Sequence, residues 1–378
     1  MVITSFAISF RKVSGDVNNT VPVKHPGIIL LSEIEKAGMN QKELSIRTEV
    51  SEKHISTIIN GTKSISASLA RKLEIALGSE KGYWTKLQSD YDRYLAVLEE
   101  ENGITQEEIA VLKPLKDITE HFIKHSIMHN DCSDAEKVLQ LRSVLRVSNL
   151  LQIPKITYNA AYRAQVKDST NVDPYVLFAW QTLCEEQTKN IALDCSFDAN
   201  KLSEKIDEIK KVMFIIDPNT MRIQLQKIFA ECGIAFEIVK HFRGAPVQGF
   251  IKQTDGGKAI LCVTIRGKKA DRFWFSLFHE IGHLLNGDLS TRFVDFDTVK
   301  SEMESKADSF ARDTLIDSAE YMTFVRSGKY HYLEEIKQFS KIIGVPHWIT
   351  IGRLHSDEWL DWSYFANEAP SYSWASNE

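Results

Sequence analysis

The sequence predicts a multidomain, mainly α fold: a small all-α domain, a helical connector, and an α+β domain with one small sheet. Three observations carry this expectation. Apolar residues recur at three- and four-residue spacing through most of the N-terminal half. Between 234 and 265 the pattern changes to short β-rich runs broken by glycines. The 378 residues, 43% hydrophobic and 26% charged, hold enough apolar material for two or three cores.

Composition also excludes several classes. The 46 Lys and Arg against 51 Asp and Glu give a formal charge of -5, which rules out a uniformly basic nucleic-acid coat and makes any DNA contact local. Cys132, Cys184, Cys195, Cys232 and Cys262 are scattered without a C-x-x-C pair. That argues against a disulfide framework or a cysteine-ligated zinc site and for a reducing compartment. No apolar run approaches a membrane span and the N-terminus lacks a secretory signal, so the expectation is a cytoplasmic protein with no membrane partner.

Residues 1–23 read as an N-terminal arm or edge strand, with Ile3, Phe6, Ile8 and Phe10 ahead of a polar stretch. A compact helical domain is expected over 24–92, closed by Trp84, Leu87 and Tyr91 on one helix face. Residues 93–197 read as a helical connector in which Thr105-x-x-Glu108 and Ser133-x-x-Glu136 each resemble a capping box. The α+β domain is expected over 198–368. It opens with a helix carrying Leu202, Ile206, Ile209 and Val212, then one from Pro218 to Gly233. Strands follow at Ile234 to Val239, Pro246 to Lys252 and Ala259 to Ile265, the last two joined by the hairpin signal Thr254-Asp255-Gly256-Gly257. Helices over Asp271 to Leu285 and Glu302 to Leu315 come next, and 369–378 is a polar tail.

In the first domain a short helix capped by Asn40 is followed by a tight turn at Glu49-Val50 and a second helix from Ser51 to Asn60-Gly61. This is helix-turn-helix spacing, with Leu44, Val50, Ile55, Ile58 and Ile59 inward. Ser51, Lys53, His54 and Thr57 are then outward on the second helix, where short polar and cationic groups reach base edges and phosphates, and Gln41 starts the first helix where it can meet a phosphate. Between Lys24 and Glu80 eight basic residues stand against seven acidic ones. Affinity for double-stranded operator DNA would therefore rest on placed side chains and on a homodimer spanning two half-sites. A helical protein-interaction domain is the competing reading.

The strongest chemical signal is His279-Glu280-Ile281-Gly282-His283 behind the apolar lead Phe273-Trp274-Phe275-Ser276-Leu277-Phe278. Four residues turn a helix by about 400°, so both imidazoles share one face and can bind one Zn2+ ion. Glu280 points to a neighbouring edge, suited to act as general base on a water at the metal. A third ligand is expected at Glu304, one turn before Asp308, which is placed to orient His279 or His283 through its other ring nitrogen. Ala307 and Ala311 suit close packing of this helix on the first. A site that binds zinc structurally or as a sensor, cleaving nothing, is the alternative. His241, His331, His347, His355, Tyr321 and Tyr364 are open candidates for oxyanion donors. Gly244 to Phe250 is small and open enough to hold an extended peptide at a strand edge, or is an ordinary strand with a glycine bulge.

At these residues two resemblances appear. Pro26-Gly27 through Tyr91, with Gln41-Lys42-Glu43-Leu44, Ile58-Ile59-Asn60-Gly61 and Gly82-Tyr83-Trp84, resembles the HigA-type antitoxin branch of the XRE helix-turn-helix family. The C-terminal part resembles the ImmA/IrrE family of zinc metallopeptidases, with its zincin-like fold, in Gly244-Ala245-Pro246, the His279 to His283 motif, Glu304-x-x-Ala307-Asp308 and Gly352-Arg353-Leu354. The resemblance implies zinc on His279, His283 and Glu304, with Glu280 catalytic. The usual Met-Pro after the third-ligand helix is here Leu315-Ile316-Asp317. Together the resemblances imply a DNA-binding transcriptional regulator with a zinc-dependent endopeptidase. Its substrate would be a repressor, a partner protein or the chain itself, in a stress, phage or toxin-antitoxin response, with a small toxin as a further candidate partner. The alternative is a non-catalytic repressor or antitoxin whose metal domain senses a signal or dimerises.

Overall fold

A computed structural model describes residues 23–130, 132–159, 172–245, 247, 249–254, 256–265, 268–288 and 299–372, so residues 1–22 of the expected arm lie outside the described residues. The chain divides into two compact units, Met1–Ile104 and Thr105–Glu378. Both are mainly helical, and the sheet belongs to the second. Among the described residues no helix is long and apolar enough to cross a membrane.

In the first unit the described helices are α1 (Pro26–Lys36), α2 (Gln41–Thr48), α3 (Glu52–Ile59), α4 (Ala67–Leu77) and α5 (Tyr83–Asn102). Helices of two turns depend on satisfied ends and on packing. Asn40 Oδ1 accepts the Glu43 amide at 2.8 Å, Ser51 Oγ that of His54 at 3.3 Å, and Ser66 Oγ that of Leu69 at 3.2 Å. Glu49 makes the turn between α2 and α3 in the left-handed region, at φ 53°. Leu30, Leu44, Ile55, Ile58, Leu73 and Trp84 form the core. α1 approaches α3 so closely that a Cβ on Gly27 would lie 1.9 Å from the Ile58 carbonyl oxygen. Buried Gln88 of α5 accepts the Ile65 amide at 2.8 Å and ties this helix to the loop before α4. α5 continues through residue 92, where the sequence placed the domain boundary.

The second unit begins with α6 (Gln106–Ala110), α7 (Lys116–Lys124), α8 (Asp134–Leu145), α9 (Ile153–Asn159) and α10 (Pro174–Thr188). The sequence reads residues 93–197 as a helical connector; these five helices lie in one compact unit with the sheet. Long-range contacts that local patterns do not display hold them there: the Trp180 indole of α10 donates to the Lys240 carbonyl at 3.1 Å. Ser133 and Glu136 close a full capping box, whereas the one expected at Thr105 is only half made. The Glu108 carboxylate is buried instead, gripped by Arg142 at 2.9 and 2.6 Å and by the Leu150 amide at 2.8 Å. A buried carboxylate without a counter-charge costs far more than an exposed cap amide left to water.

Beyond these lie α11 (Ala199–Glu204) and α12 (Ile206–Val212), expected as one helix but separated at Lys205 (φ -86°, ψ -3°), and then α13 (Pro218–Glu231). The sheet comprises β1 (Ile234–Val239), β2 (Gly249–Gln253) and β3 (Ala259–Thr264) in the order β1-β3-β2. β1 runs parallel to β3, with Ile234 opposite Ala259, and β2 antiparallel to it, with Gly249 opposite Val263. β2 starts later than expected, consistent with a proline at 246 that has no amide for the ladder; Pro246 and Gln248 themselves lie outside the described residues, as does Asp255 of the hairpin. The C-terminal helices are α14 (Ala270–Asn286), α15 (Val299–Leu315), α16 (Ser318–Arg326), α17 (Leu333–Ile343) and α18 (His347–Ser356). α14 packs on the sheet through a core that includes Phe236, Leu261, Trp274, Leu277, Phe278 and Ile281. The expected polar tail is not all exposed. Tyr372 is buried, its phenol oxygen accepts the Trp274 indole N–H at 3.0 Å, and the Ala270 amide donates to the Pro370 carbonyl at 2.9 Å. Burial of one aromatic ring outweighs the polarity of its neighbours. Residues 373–378 lie outside the described residues.

Candidate metal centre and nucleic-acid interface

Each ligand candidate is placed by an identifiable device. His279 and His283 lie one turn apart on α14, and Glu304 projects from α15. The two helices can approach because Gly282 has no side chain: a Cβ there would stand 3.1 Å from Ala307 Cα and 3.2 Å from the Ala307 carbonyl oxygen. Ala307 and Ala311 are buried in the same contact. His279 Nε2 and His283 Nε2 lie 3.0 Å apart, with Glu304 Oε2 3.2 and 3.7 Å from them. All three ligand atoms fall within 4.8 Å of one another.

The other ring nitrogens are committed. His279 Nδ1 bonds Asp308 Oδ1 at 2.7 Å, and His283 Nδ1 bonds Asp288 Oδ2 at 2.7 Å. Each imidazole is thereby oriented with Nε2 toward Glu304, the arrangement in which a carboxylate fixes tautomer and raises ligand basicity. Asp288 was not among the residues singled out from sequence. The motif stops at His283, and only the helix-ending Gly287 (φ 80°), which turns the chain so that the Asp288 amide reaches the His283 carbonyl at 3.1 Å, brings it back.

Charge follows this geometry. Burial opposes a charged His279, but the hydrogen bond it donates to Glu304 and the carboxylates of Glu280 and Asp308 overcome it and hold the imidazole up at about 9. His283 is shifted upward against burial by Glu304 and Asp288. Glu304, bonded to both imidazoles, is held well below the usual carboxylate range. The surrounding carboxylates thus favour a positive charge at the two imidazoles, which a proton or a metal ion can supply. Two neutral imidazoles and a carboxylate suit zinc, so the donor set fits that ion.

Glu280 is buried on the same helix and lies against β2. A Cβ on Gly249 would stand 2.2 Å from Glu280 Oε1, so the carboxylate rests directly on the strand backbone. From sequence, Gly249 was only one small residue in an open run. Of the open oxyanion candidates, His347 pairs with Glu368 at 2.7 Å, His355 Nε2 with the Tyr364 carbonyl at 2.8 Å, the His331 ring lies tilted against Tyr330, and Tyr321 is buried under Arg353.

In the first unit α3 carries Lys53, exposed, and His54 and Thr57, half-buried, on one helix. The Thr57 hydroxyl donates to the His54 carbonyl at 2.7 Å, and Ser51 is occupied as the cap of α3, which leaves Lys53 the most extended of these groups. Gln41 is the first residue of α2.

Residues 30–84 match the helix-turn-helix family model. They cover α2, the turn at Glu49 and α3, so the matched residues contain the helix-turn-helix itself. Virulence-associated protein A' of Dichelobacter nodosus is 38% identical over 69 residues, which are 18% of this chain and 60% of that protein. The chain thus spans 60% of the length of this curated relative. No solved structure matches. The metal constellation lies outside the matched residues.

Proposed function

We propose that this DNA-binding regulator carries a zinc-dependent endopeptidase in its second unit, which cleaves a repressor, a partner protein or its own DNA-binding half. One observation carries the reading: two imidazoles and a carboxylate converge on one point while both remaining ring nitrogens are held by further carboxylates. A half-buried surface ion pair has no need of such double orientation, and a metal ligand set does. This endopeptidase reading is also the one that the resemblance of the C-terminal part to the ImmA/IrrE peptidases, carried in part by these same residues, implies.

His279, His283 and Glu304 would hold the ion. Zinc bound there supplies Lewis-acid polarisation of a peptide carbonyl and of water. The Glu280 carboxylate takes a proton from the attacking water and passes it to the leaving amine as the peptide bond breaks. Asp308 and Asp288 keep His279 and His283 in the orientation the ligand set requires. DNA contact through Lys53, His54 and Thr57, with pairing of two copies on an operator, would bring the peptidase to a regulatory locus.

Glu280→Gln tests the reading. Zinc content stays as in the wild type, and cleavage of the partner repressor, read by gel and mass spectrometry in cells and with purified protein, is lost. Unchanged regulation in cells, with no cleavage by the wild type or the variant, would overturn catalysis and leave a metal-dependent sensor or antitoxin.

A further inference from the structure

The Glu280 carboxylate depends on a wall that its own helix does not provide. The wall is the first residue of β2, Gly249, whose Cα side lies against Glu280 Oε1, Cδ and Cγ. What holds β2 in place is partly the helical segment that reads from sequence as a connector. Phe250 and Lys252 point to the face of β2 opposite Gly249 and Ile251, by the alternation of a strand. Phe250 meets the Trp180 ring edge-on at a centroid distance of 6.2 Å, and Lys252 Nζ pairs with Glu185 Oε1 at 2.6 Å. Both partners are on α10, one and a half turns apart.

The loop that feeds β2 is tied to the same helix. The Trp180 indole donates to the Lys240 carbonyl at 3.1 Å, and the Asp173 amide, at the cap of α10, donates to the Gly244 carbonyl at 2.8 Å. Gly244, at φ 96°, leaves only 3.1 Å between a would-be Cβ and Asp173 Cβ, so loop and helix cap are in contact. Thr264 of β3 anchors the next step by donating to the Val247 carbonyl at 3.0 Å. Trp180 is fully buried and reaches both the loop, at Lys240, and the strand, at Phe250.

We propose that Trp180 is a positioning residue for the general base: from α10 it fixes the loop at Lys240 and the strand at Phe250, and so sets the height of the Gly249 backbone against the Glu280 carboxylate. The inference rests on the endopeptidase reading for its catalytic consequence, but the mechanical link from Trp180 to Gly249 stands apart from it. It makes α10 a support of the general base, through which a displacement of that helix is transmitted to Glu280 without touching the metal ligands.

The test uses the full chain loaded with zinc, in Trp180→Phe, which removes the indole donor and keeps an aromatic ring. Glu185→Gln, which weakens the grip on Lys252 at a half-exposed site, guards against a folding defect in the first variant. Zinc content, kcat and KM on a cleaved peptide, the pH profile of kcat, and amide exchange over 249–253 are measured. The expected result is unchanged zinc content, KM within about twofold, kcat lowered about fivefold with a displaced acidic limb, and faster exchange at 249–253, with a smaller change of the same kind in Glu185→Gln. Wild-type kcat, pH profile and exchange in both variants would overturn the proposal. If the wild-type chain cleaves no peptide, the endopeptidase reading fails by itself, and the exchange measurement decides alone whether Trp180 holds the strand.

Discussion

Gly249→Ala is a small perturbation with a calculable consequence. Gly249 does not need a left-handed backbone, so alanine is tolerated conformationally and the strand keeps its pairing with Val263. Its Cβ, however, would lie 2.2 Å from Glu280 Oε1 and 2.4 Å from Cδ and Cγ. An ordinary contact needs about 3.5 Å, so the carboxylate must retreat by roughly 1 Å. Because Cγ is pressed as hard as Cδ, the whole Glu280 side chain must swing to another rotamer, and a general base displaced by about 1 Å loses on the order of a hundredfold in rate, or about 3 kcal/mol of barrier. Peptide cleavage should fall by that factor while zinc content and the melting temperature remain near those of the wild type. Gly282→Ala is the contrast: its Cβ presses on the backbone of Ala307 at 3.1 Å and pushes α15 away, so zinc affinity falls together with activity. Wild-type kcat in Gly249→Ala would refute the argument that Glu280 rests on this strand and acts from there.

Three other expectations follow from single contacts. Asp288→Ala frees His283 Nδ1 and should weaken zinc binding about 10- to 100-fold in a chelator competition, with Asp308→Ala doing the same through His279. Burial and the neighbouring cations His125, Lys240 and Lys124 push His121 down to about 4. Its folded value lies below the unfolded one near 6.5, so stability is complete above that value and is lost as pH falls from about 6.5 to about 4. Urea unfolding should show about 2 kcal/mol lost between pH 7 and 5 from this group, and a His121→Phe variant, which keeps an aromatic ring against Phe242, should lack that component of the slope. Lys53→Ala should weaken operator binding across sequences and lower the salt slope of binding by about one, measured by mobility shift at several salt concentrations, whereas an unchanged slope would remove Lys53 from the phosphate contacts.

Features whose physics is local were legible in the amino-acid sequence. Asn40 caps the helix it precedes, and the spacing of His279 and His283 places both on one face of α14. Glu304 and Asp308 were legible because one helical turn separates them and small Ala307 sits between. What local signals could not show depends on residues far apart in the chain. Glu108 has the spacing of a capping residue, yet Arg142, thirty-four residues away, draws its carboxylate inward. Trp180 looks like one apolar position among many in a connector, and its indole finds the Lys240 carbonyl sixty residues on. Asp288 lies past the helix that carries its partner and returns only through the turn at Gly287. Tyr372 reads as part of a polar end until Trp274 supplies its hydrogen bond.

The central claim is that His279, His283 and Glu304 hold zinc. The most direct measurement is elemental analysis of the purified full chain after dialysis against metal-free buffer, beside His283→Ala and Glu304→Gln. About one zinc per wild-type chain is expected, and a loss in both variants, with the fold retained by circular dichroism. Zinc at the same level in all three proteins, or none in the wild type after incubation with zinc, would contradict it.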